Sequence, residues 1–129
     1  MGYRSAVKAI VYGDKETLRG YMAIEKLRDK NVFQEFEGRL ELKYMVDEYA
    51  VLDLTLDDVK WYEGYDDVAA WERFMRDCVD HGLNYEFVRL GEELNDIETE
   101  QNGENLAYCL YPETTIVCDM VGSIETTTL

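Results

Sequence analysis

The fold of this chain is decided by residues 40–56, LELKYMVDEYAVLDLTL, in which apolar side chains recur at every second position. An alternation with a period of two is typical of strands that bury one face. Asp47-Glu48 separates the two halves and supplies a turn. The side chains expected on the buried faces are Leu40, Leu42, Tyr44 and Val46 in the first half, then Ala50, Leu52, Leu54 and Leu56 in the second. The pattern therefore predicts two adjacent strands in the middle of the chain.

A strand and a helix are predicted before these two strands. Residues 3–12 alternate in the same way, although their second face is also partly apolar. Gly13 breaks the strand, and Asp14 is a suitable N-cap because its carboxylate can accept from a free N–H of the first helical turn. Apolar residues at helical spacing then extend the helix to about Lys30.

A second helix and a fourth strand are predicted after the central strands. Asp66 or Asp67 is expected to cap a helix that runs to His81, where Gly82 ends it as a C′ glycine. Residues 83–90 then alternate as a strand. The order β-α-β-β-α-β predicts an α+β fold of the ferredoxin-like class, with a mostly antiparallel sheet and both helices on one face.

A hairpin is predicted near the C-terminal end. Residues 97–101 and 105–111 flank Asn102-Gly103, a dipeptide that favours the tight turns of two-residue hairpins. Residues 1–121 are expected to form a single domain, since 129 residues can bury a core without disulfides or metals. Residues 122–129 are expected to be a frayed tail.

Charge is distributed unevenly along the sequence. The whole chain has a net charge of −15. Residues 1–43 carry nine Lys/Arg against seven Asp/Glu, a net of +2, and residues 44–129 carry four against 21, a net of −17. A field of one sign attracts cationic surfaces and repels polyanions, so the partner is expected to be a basic protein and not a nucleic acid. A local RNA contact by the basic first helix is the alternative.

Few residues of the sequence point to catalysis, a metal or a cofactor. His81 is the only histidine, which excludes a two-histidine metal site in a monomer, and its place in a last helical turn indicates a structural role. The three cysteines form no C-x-x-C pair, which favours reduced thiols and a cytoplasmic protein. No apolar run is long enough for a membrane span. We expect no enzyme activity, metal or cofactor, the alternative being a magnesium site around Asp53, Asp57 and Asp58.

Two acidic patches are the candidate partner-binding surfaces. The first surrounds three large aromatic residues, which are favoured in binding hot spots because they bury much area at low entropic cost. Its members are Asp57, Asp58, Trp61, Tyr62, Glu63, Tyr65, Asp66 and Asp67. The second consists of Glu92, Glu93, Asp96, Glu98 and Glu100. A second interpretation, compatible with the first, is that Trp61 and Tyr65 close the end of the core.

A family likeness is carried by three segments of the sequence. They are Tyr3-Arg4-Ser5, Lys60-Trp61-Tyr62-Glu63-Gly64-Tyr65 and Gly82-Leu83-Asn84-Tyr85-Glu86-Phe87. Together they resemble small acidic proteins encoded by tailed bacteriophages and prophages. The resemblance implies a phage-encoded protein of the bacterial cytoplasm and implies no particular activity.

These observations favour a non-enzymatic inhibitor that mimics nucleic acid. Its acidic surface would occupy the basic, nucleic-acid-binding site of a host protein, such as a restriction or CRISPR-type defence enzyme. The alternative is a structural or assembly accessory protein, a small homo-oligomer that associates through an open sheet face or the terminal hairpin.

Overall fold

The structure is a computed structural model that describes residues 2–45, 48–93 and 95–102, together with the backbone of three short strands between residues 110 and 128. Within these described residues, eight strands and three α-helices follow one another. They are β1 Ser5–Asp14, α1 Lys15–Glu25, α2 Val32–Glu35, β2 Leu40–Met45, β3 Tyr49–Val59, α3 Asp66–Asp77, β4 Asn84–Leu90, β5 Ile97–Gln101, β6 Leu110–Pro112, β7 Ile116–Cys118 and β8 Ser123–Thr128. A 3-10 turn, Cys78–His81, continues α3.

Six of the strands form one sheet in the spatial order β5-β4-β1-β3-β2-β8, and every neighbouring pair is antiparallel. The prediction of an α+β fold with an antiparallel sheet is therefore confirmed. The complete strand order differs from that of a four-stranded ferredoxin-like sheet, because β5 is added at one edge and β8 at the other.

All three helices pack on one face of this sheet. Their apolar side chains and those of the alternating strand positions form a single core cluster. Trp71 and Phe74 on α3 and Leu18 on α1 are among its fully buried members. Each buried aliphatic or aromatic side chain contributes roughly 1.5–3 kcal/mol of transfer free energy, so this layer supplies most of the stabilisation of the fold.

The opposite face of the sheet is buried as well. Ile10, Tyr12, Val51 and Val88 are each no more than 2% exposed there. The strands β6 and β7 form a separate two-stranded sheet whose nearest neighbours are β4 and β1. The C-terminal part of the chain thus passes from the β5 edge, near β4 and β1, to the β2 edge.

Helix α1 ends at Glu25, one turn earlier than the sequence predicts. The Glu25 carboxylate accepts a hydrogen bond from the backbone N–H of Val32 (3.0 Å), which requires the chain to turn back. Asn31 then caps α2 by accepting from the N–H of Gln34 (3.0 Å). The N-cap role of Asp14 is as predicted, since its carboxylate accepts from Thr17 N–H at 3.1 Å.

Two further predictions differ from the structure in detail, and a third lies partly outside the described residues. Helix α3 has Tyr65 as its N-cap residue, and Asp66 and Asp67 lie in the first turn, where the helix dipole still favours their charge. The predicted hairpin turn continues into residues outside the described ranges, but β5 pairs with β4 and β6 pairs with β7. The segment 122–129, expected to fray, contains β8, which pairs with β2. The Gly82 prediction is confirmed, with φ +79°.

Candidate functional site

A cleft of about 510 Å³ lies between α3 and the β4–β5 edge of the sheet. It brings together members of both predicted acidic patches, which are far apart in sequence. Its lining residues are Tyr3, Trp61, Tyr62, Glu63, Val68, Glu72, Met75, Arg76, Phe87, Arg89, Asp96, Glu98 and Glu100. Five carboxylates and two guanidinium groups line the cleft, which leaves it with a formal net charge of −3.

The aromatic wall of the cleft is built where the chain leaves β3. Trp61 is half-buried, and its ring centroid lies 6.2 Å from that of Phe36 and 5.9 Å from that of Phe87. Tyr62 meets Tyr65 edge to face, with centroids 5.2 Å apart. Trp61 therefore closes the core and lines the cleft at the same time, whereas Tyr65 is 45% exposed and lies outside the cleft.

The acidic wall comes from β5. Glu98 pairs with Arg89 on the neighbouring strand (3.0 Å), and Glu100 pairs with Arg76 on α3 (3.1 Å). Tyr85 also donates its hydroxyl hydrogen to Glu100 (2.8 Å). The hydrogen bonds from Arg76 and Tyr85 hold the pKa of Glu100 below its ordinary value. Glu100 is consequently charged at neutral pH, and both carboxylates are fixed in position by their ion pairs.

A second set of contacts anchors the loop that precedes β5. Asp96 binds the Arg89 guanidinium through both carboxylate oxygens, at 2.7 and 3.2 Å, and accepts from the Tyr3 hydroxyl at 2.5 Å. These contacts lower the pKa of Asp96 to about 2. Asp96 therefore acts mainly as a structural tie between the first residues of the chain and the cleft rim.

Glu72 is the cleft carboxylate that the sequence did not single out. It lies on α3, four residues after Val68, and pairs with Arg76 at 3.3 Å. Burial raises the pKa of Glu72, and the carboxylates of Glu63, Glu98 and Glu100 raise it further against the opposing effect of Arg76. These three carboxylates therefore lie near enough to Glu72 to disfavour its charged form. The available signal was the helical spacing between Glu72 and the buried α3 residues.

The other predicted site residues lie outside this cleft. Asp58 and Glu92 line a separate depression with the N-terminal residues, where Glu92 accepts from the backbone N–H of Arg4 (3.0 Å). Asp57, Asp66 and Glu93 are exposed, and Asp66 pairs with Lys30 at 3.1 Å. Asp67 is half-buried, binds the backbone N–H of Val68 and faces a groove beside α2. The first patch is thus spread over three surfaces.

The alternative magnesium site is not compatible with the position of Asp53. This carboxylate is 2% exposed on the second face of the sheet and binds the ammonium groups of Lys8 (2.7 Å) and Lys43 (2.9 Å). Although burial opposes ionisation, the two lysines hold the pKa of Asp53 below its ordinary value. In the part of the chain that the structure describes, no three His, Cys, Asp or Glu side chains converge to hold a metal.

Two other sequence features have plain structural surroundings. His81 is exposed and rests against the ring of Tyr21, with centroids 4.7 Å apart. Cys78 is a buried free thiol, and burial raises its pKa to about 12. Over the described ranges, the helices are too short or too polar to cross a membrane.

Comparisons with known proteins add no relative to this description. No protein-family model, curated protein or solved structure matches this chain.

Proposed function

We propose that this chain is a non-enzymatic binding protein that uses its acidic cleft to occupy a basic, nucleic-acid-binding site on another protein. In keeping with the phage resemblance, the target would be a host nucleic-acid enzyme of the bacterial cytoplasm, such as a restriction or CRISPR-type defence enzyme. Inhibition would follow because the target could not hold this protein and its nucleic acid at the same time.

The observation that carries the proposal is the crowding of carboxylates around the cleft. These carboxylates come from three separate segments, with Glu63 after β3, Glu72 on α3, and Glu98 and Glu100 on β5. The other three raise the pKa of Glu72. A cationic side chain entering the cleft would relieve this repulsion. The nearby faces of Trp61 and Tyr62 favour the same kind of ligand, since aromatic rings attract ammonium and guanidinium groups.

The negative charge of the cleft also suits a site built for DNA. Duplex DNA presents one negative charge for about every 1.7 Å of its axis, and its protein partners arrange Lys and Arg to match. A rigid cleft with a net charge of −3 can meet part of such a surface without the flexibility that would weaken the match. The ion pairs with Arg76 and Arg89 fix Glu100 and Glu98 in position, and the cleft keeps its net negative charge.

The proposal is tested by capture from bacterial lysate on the immobilised protein. We compare the wild type with Glu63→Gln/Glu72→Gln, which removes two cleft charges, and with Glu35→Gln/Glu37→Gln, which removes two charges outside it. A retained nucleic-acid enzyme should elute between roughly 50 and 500 mM salt, because screening weakens charge pairing. At about 0.7 kcal/mol per lost charge, the cleft variant should bind about tenfold more weakly, and the control should bind normally.

Competition with duplex DNA completes the test. DNA should displace the captured enzyme if both occupy one site. Equal capture by the two double variants, or a complex that still binds DNA, would refute the proposal.

A finer description of the fold belongs to the same proposal. We propose that β1 to β4 with α1 and α3 constitute a ferredoxin-like core, to which β5 and β8 are added. The adjacent, wholly antiparallel order β4-β1-β3-β2 supports it.

A further inference from the structure

Strand β5 forms one edge of the six-stranded sheet. Within the described residues it pairs with β4 alone. Four of its five residues are exposed, and Ile97 is 46% exposed although it is apolar. Edge strands offer unpaired N–H and C=O groups to a further strand, so an accessible edge is a potential docking surface.

The hydrogen bonds at the two ends of β5 determine which backbone groups face outward. Gly91 N–H donates to the carbonyl of Asp96 (2.8 Å), and Asn102 N–H donates to that of Tyr85 (3.3 Å). Hydrogen-bonded and non-hydrogen-bonded pairs alternate along an antiparallel ladder. The partner of Asn102 is Tyr85 and that of Asp96 is Gly91, six positions apart, so both pairs are of the hydrogen-bonded kind. By this alternation, Glu98 and Glu100 direct their backbone groups to β4, and Thr99 and Gln101 direct theirs to the free edge. The N–H of Ile97 donates to the carbonyl of Asn95 (3.1 Å), so Ile97 offers only its carbonyl to an added strand.

The same alternation places the acidic side chains where an added strand would come closest. Opposite a new antiparallel strand, Glu98 and Glu100 would occupy non-hydrogen-bonded positions, at which facing side chains approach each other most closely. Both side chains belong to the cleft wall, and Glu98 is 54% exposed despite its pairing with Arg89. Cations on the new strand would therefore reach the acidic cleft.

A second copy of the chain is a poor occupant of this edge. Two antiparallel copies of β5 would place Glu98 or Glu100 of one copy against a glutamate of the other, and like charges in facing positions are destabilising. An extended segment with Lys or Arg at alternate positions has the complementary charge. We infer that the β5 edge pairs with such a basic segment of the partner protein, whose cations enter the cleft; this inference rests on the proposed function.

The experiment uses a defined peptide and the intact protein. The probe is Thr-Lys-Thr-Lys-Thr-Lys-Thr, blocked at both ends, at roughly 20 mM ionic strength, where charge pairing is weakly screened. Its control replaces each Thr with Pro, which keeps the charges and removes the alternate N–H donors. Thr-Lys peptide binding should slow amide hydrogen exchange at Thr99 and Gln101 about tenfold or more. The Pro peptide should leave these rates unchanged.

Two protein variants test the same edge from the other side. Thr99→Pro removes an outward N–H and none of the bonds to β4, and Thr99→Ala is its matched control. Thr99→Pro should bind the peptide at least tenfold more weakly, and Thr99→Ala should bind it normally. Circular dichroism verifies that both variants are folded, and the exchange measurement on the wild type does not depend on either.

The outcomes separate this inference from the proposed function. Peptide binding without slower exchange at the two outward amides, or binding that Thr99→Pro leaves intact, overturns strand addition and leaves the acidic cleft as the binding site. No binding of the Thr-Lys peptide overturns the inference as well, and the lysate capture then decides the proposed function independently.

Discussion

Replacing Arg73 with Met should destabilise the protein strongly, because Glu25 would be left as a buried, unmatched charge. Glu25 is 1% exposed, and Arg73 donates to both of its oxygens at 2.8 and 2.7 Å. This pair joins the end of α1 to the middle of α3. Removing one partner of a buried ion pair costs about 3–5 kcal/mol. Arg73 itself is 29% exposed and Arg28 lies 3.7 Å from Glu25, so we expect about 3 kcal/mol.

The matched change is the double variant Glu25→Gln/Arg73→Met. The amide oxygen of Gln can still accept from Val32 N–H, which Glu25 binds at 3.0 Å, while the buried charge is gone. The double variant should therefore be more stable than Arg73→Met by about 1–2 kcal/mol, although it carries one substitution more.

Urea unfolding at pH 7, followed by circular dichroism, measures these differences in the free energy of unfolding. The slope of the free energy against urea should be unchanged, since the extent of unfolding is the same. A loss below about 1 kcal/mol for Arg73→Met, or a double variant less stable than the single one, would show that the pair is not responsible for fixing α1 against α3.

Three further predictions concern single positions. Gly82→Ala should lower the free energy of unfolding by about 1 kcal/mol, because Gly82 has φ +79° and a Cβ there would gain no contact to offset the strain. Gly20→Ala within α1 should instead raise the free energy of unfolding by about 0.5–1 kcal/mol. Urea unfolding compares the two variants. Cys78 should resist thiol reagents at pH 8 until the protein unfolds, since burial raises its pKa to about 12, and mass spectrometry of labelled peptides would reveal early modification. Arg89 and Tyr3 lower the pKa of Asp96 to about 2, so its contribution to stability is present above about pH 4 and is lost as the pH falls from about 4 to 2. The Asp96→Asn variant should therefore be less stable at pH 7, and its stability should depend less on acid. An unchanged acid dependence of the free energy of unfolding would contradict this.

Local patterns were sufficient to predict most of the secondary structure. The period-two alternation of residues 40–56 predicts β2 and β3, and Gly82 ends the second helical segment in the left-handed conformation that favours glycine. Asp14 caps α1 because its role depends only on a residue three positions away. Each of these features is determined within a few residues of sequence, which is why the pattern is sufficient.

The elements that the sequence analysis missed depend on distant contacts. Helix α1 ends at Glu25 because of a contact seven residues ahead and another on α3. The segment 122–129 lacks an apolar run, and its Thr residues, although favourable in strands, order only when β2 offers a free edge.

Only part of the candidate site could be predicted from the sequence, because the cleft also depends on contacts between residues that are distant in sequence. Trp61, Tyr62 and Glu63 were selected for their composition and do line the cleft. Glu72 joins them only because α3 packs beside β4 and β5, and one sequence position cannot indicate that packing. Asp57 and Asp66 flank the aromatic segment in sequence, but Asp57 lies within β3 and Asp66 in the first turn of α3, and both are exposed outside the cleft.

The position of β1 at the centre of the sheet has a kinetic consequence. This first strand pairs on one side with β3, whose residues follow it by about 40 positions, and on the other with β4, about 75 positions later. Closing such long loops must precede most of the stabilising contacts, so folding should be slow for a domain of this size, on the order of milliseconds to seconds. During synthesis on the ribosome, about 75 further residues must be added after β1 before both of its neighbours exist, and early chaperone binding to this segment would be an advantage.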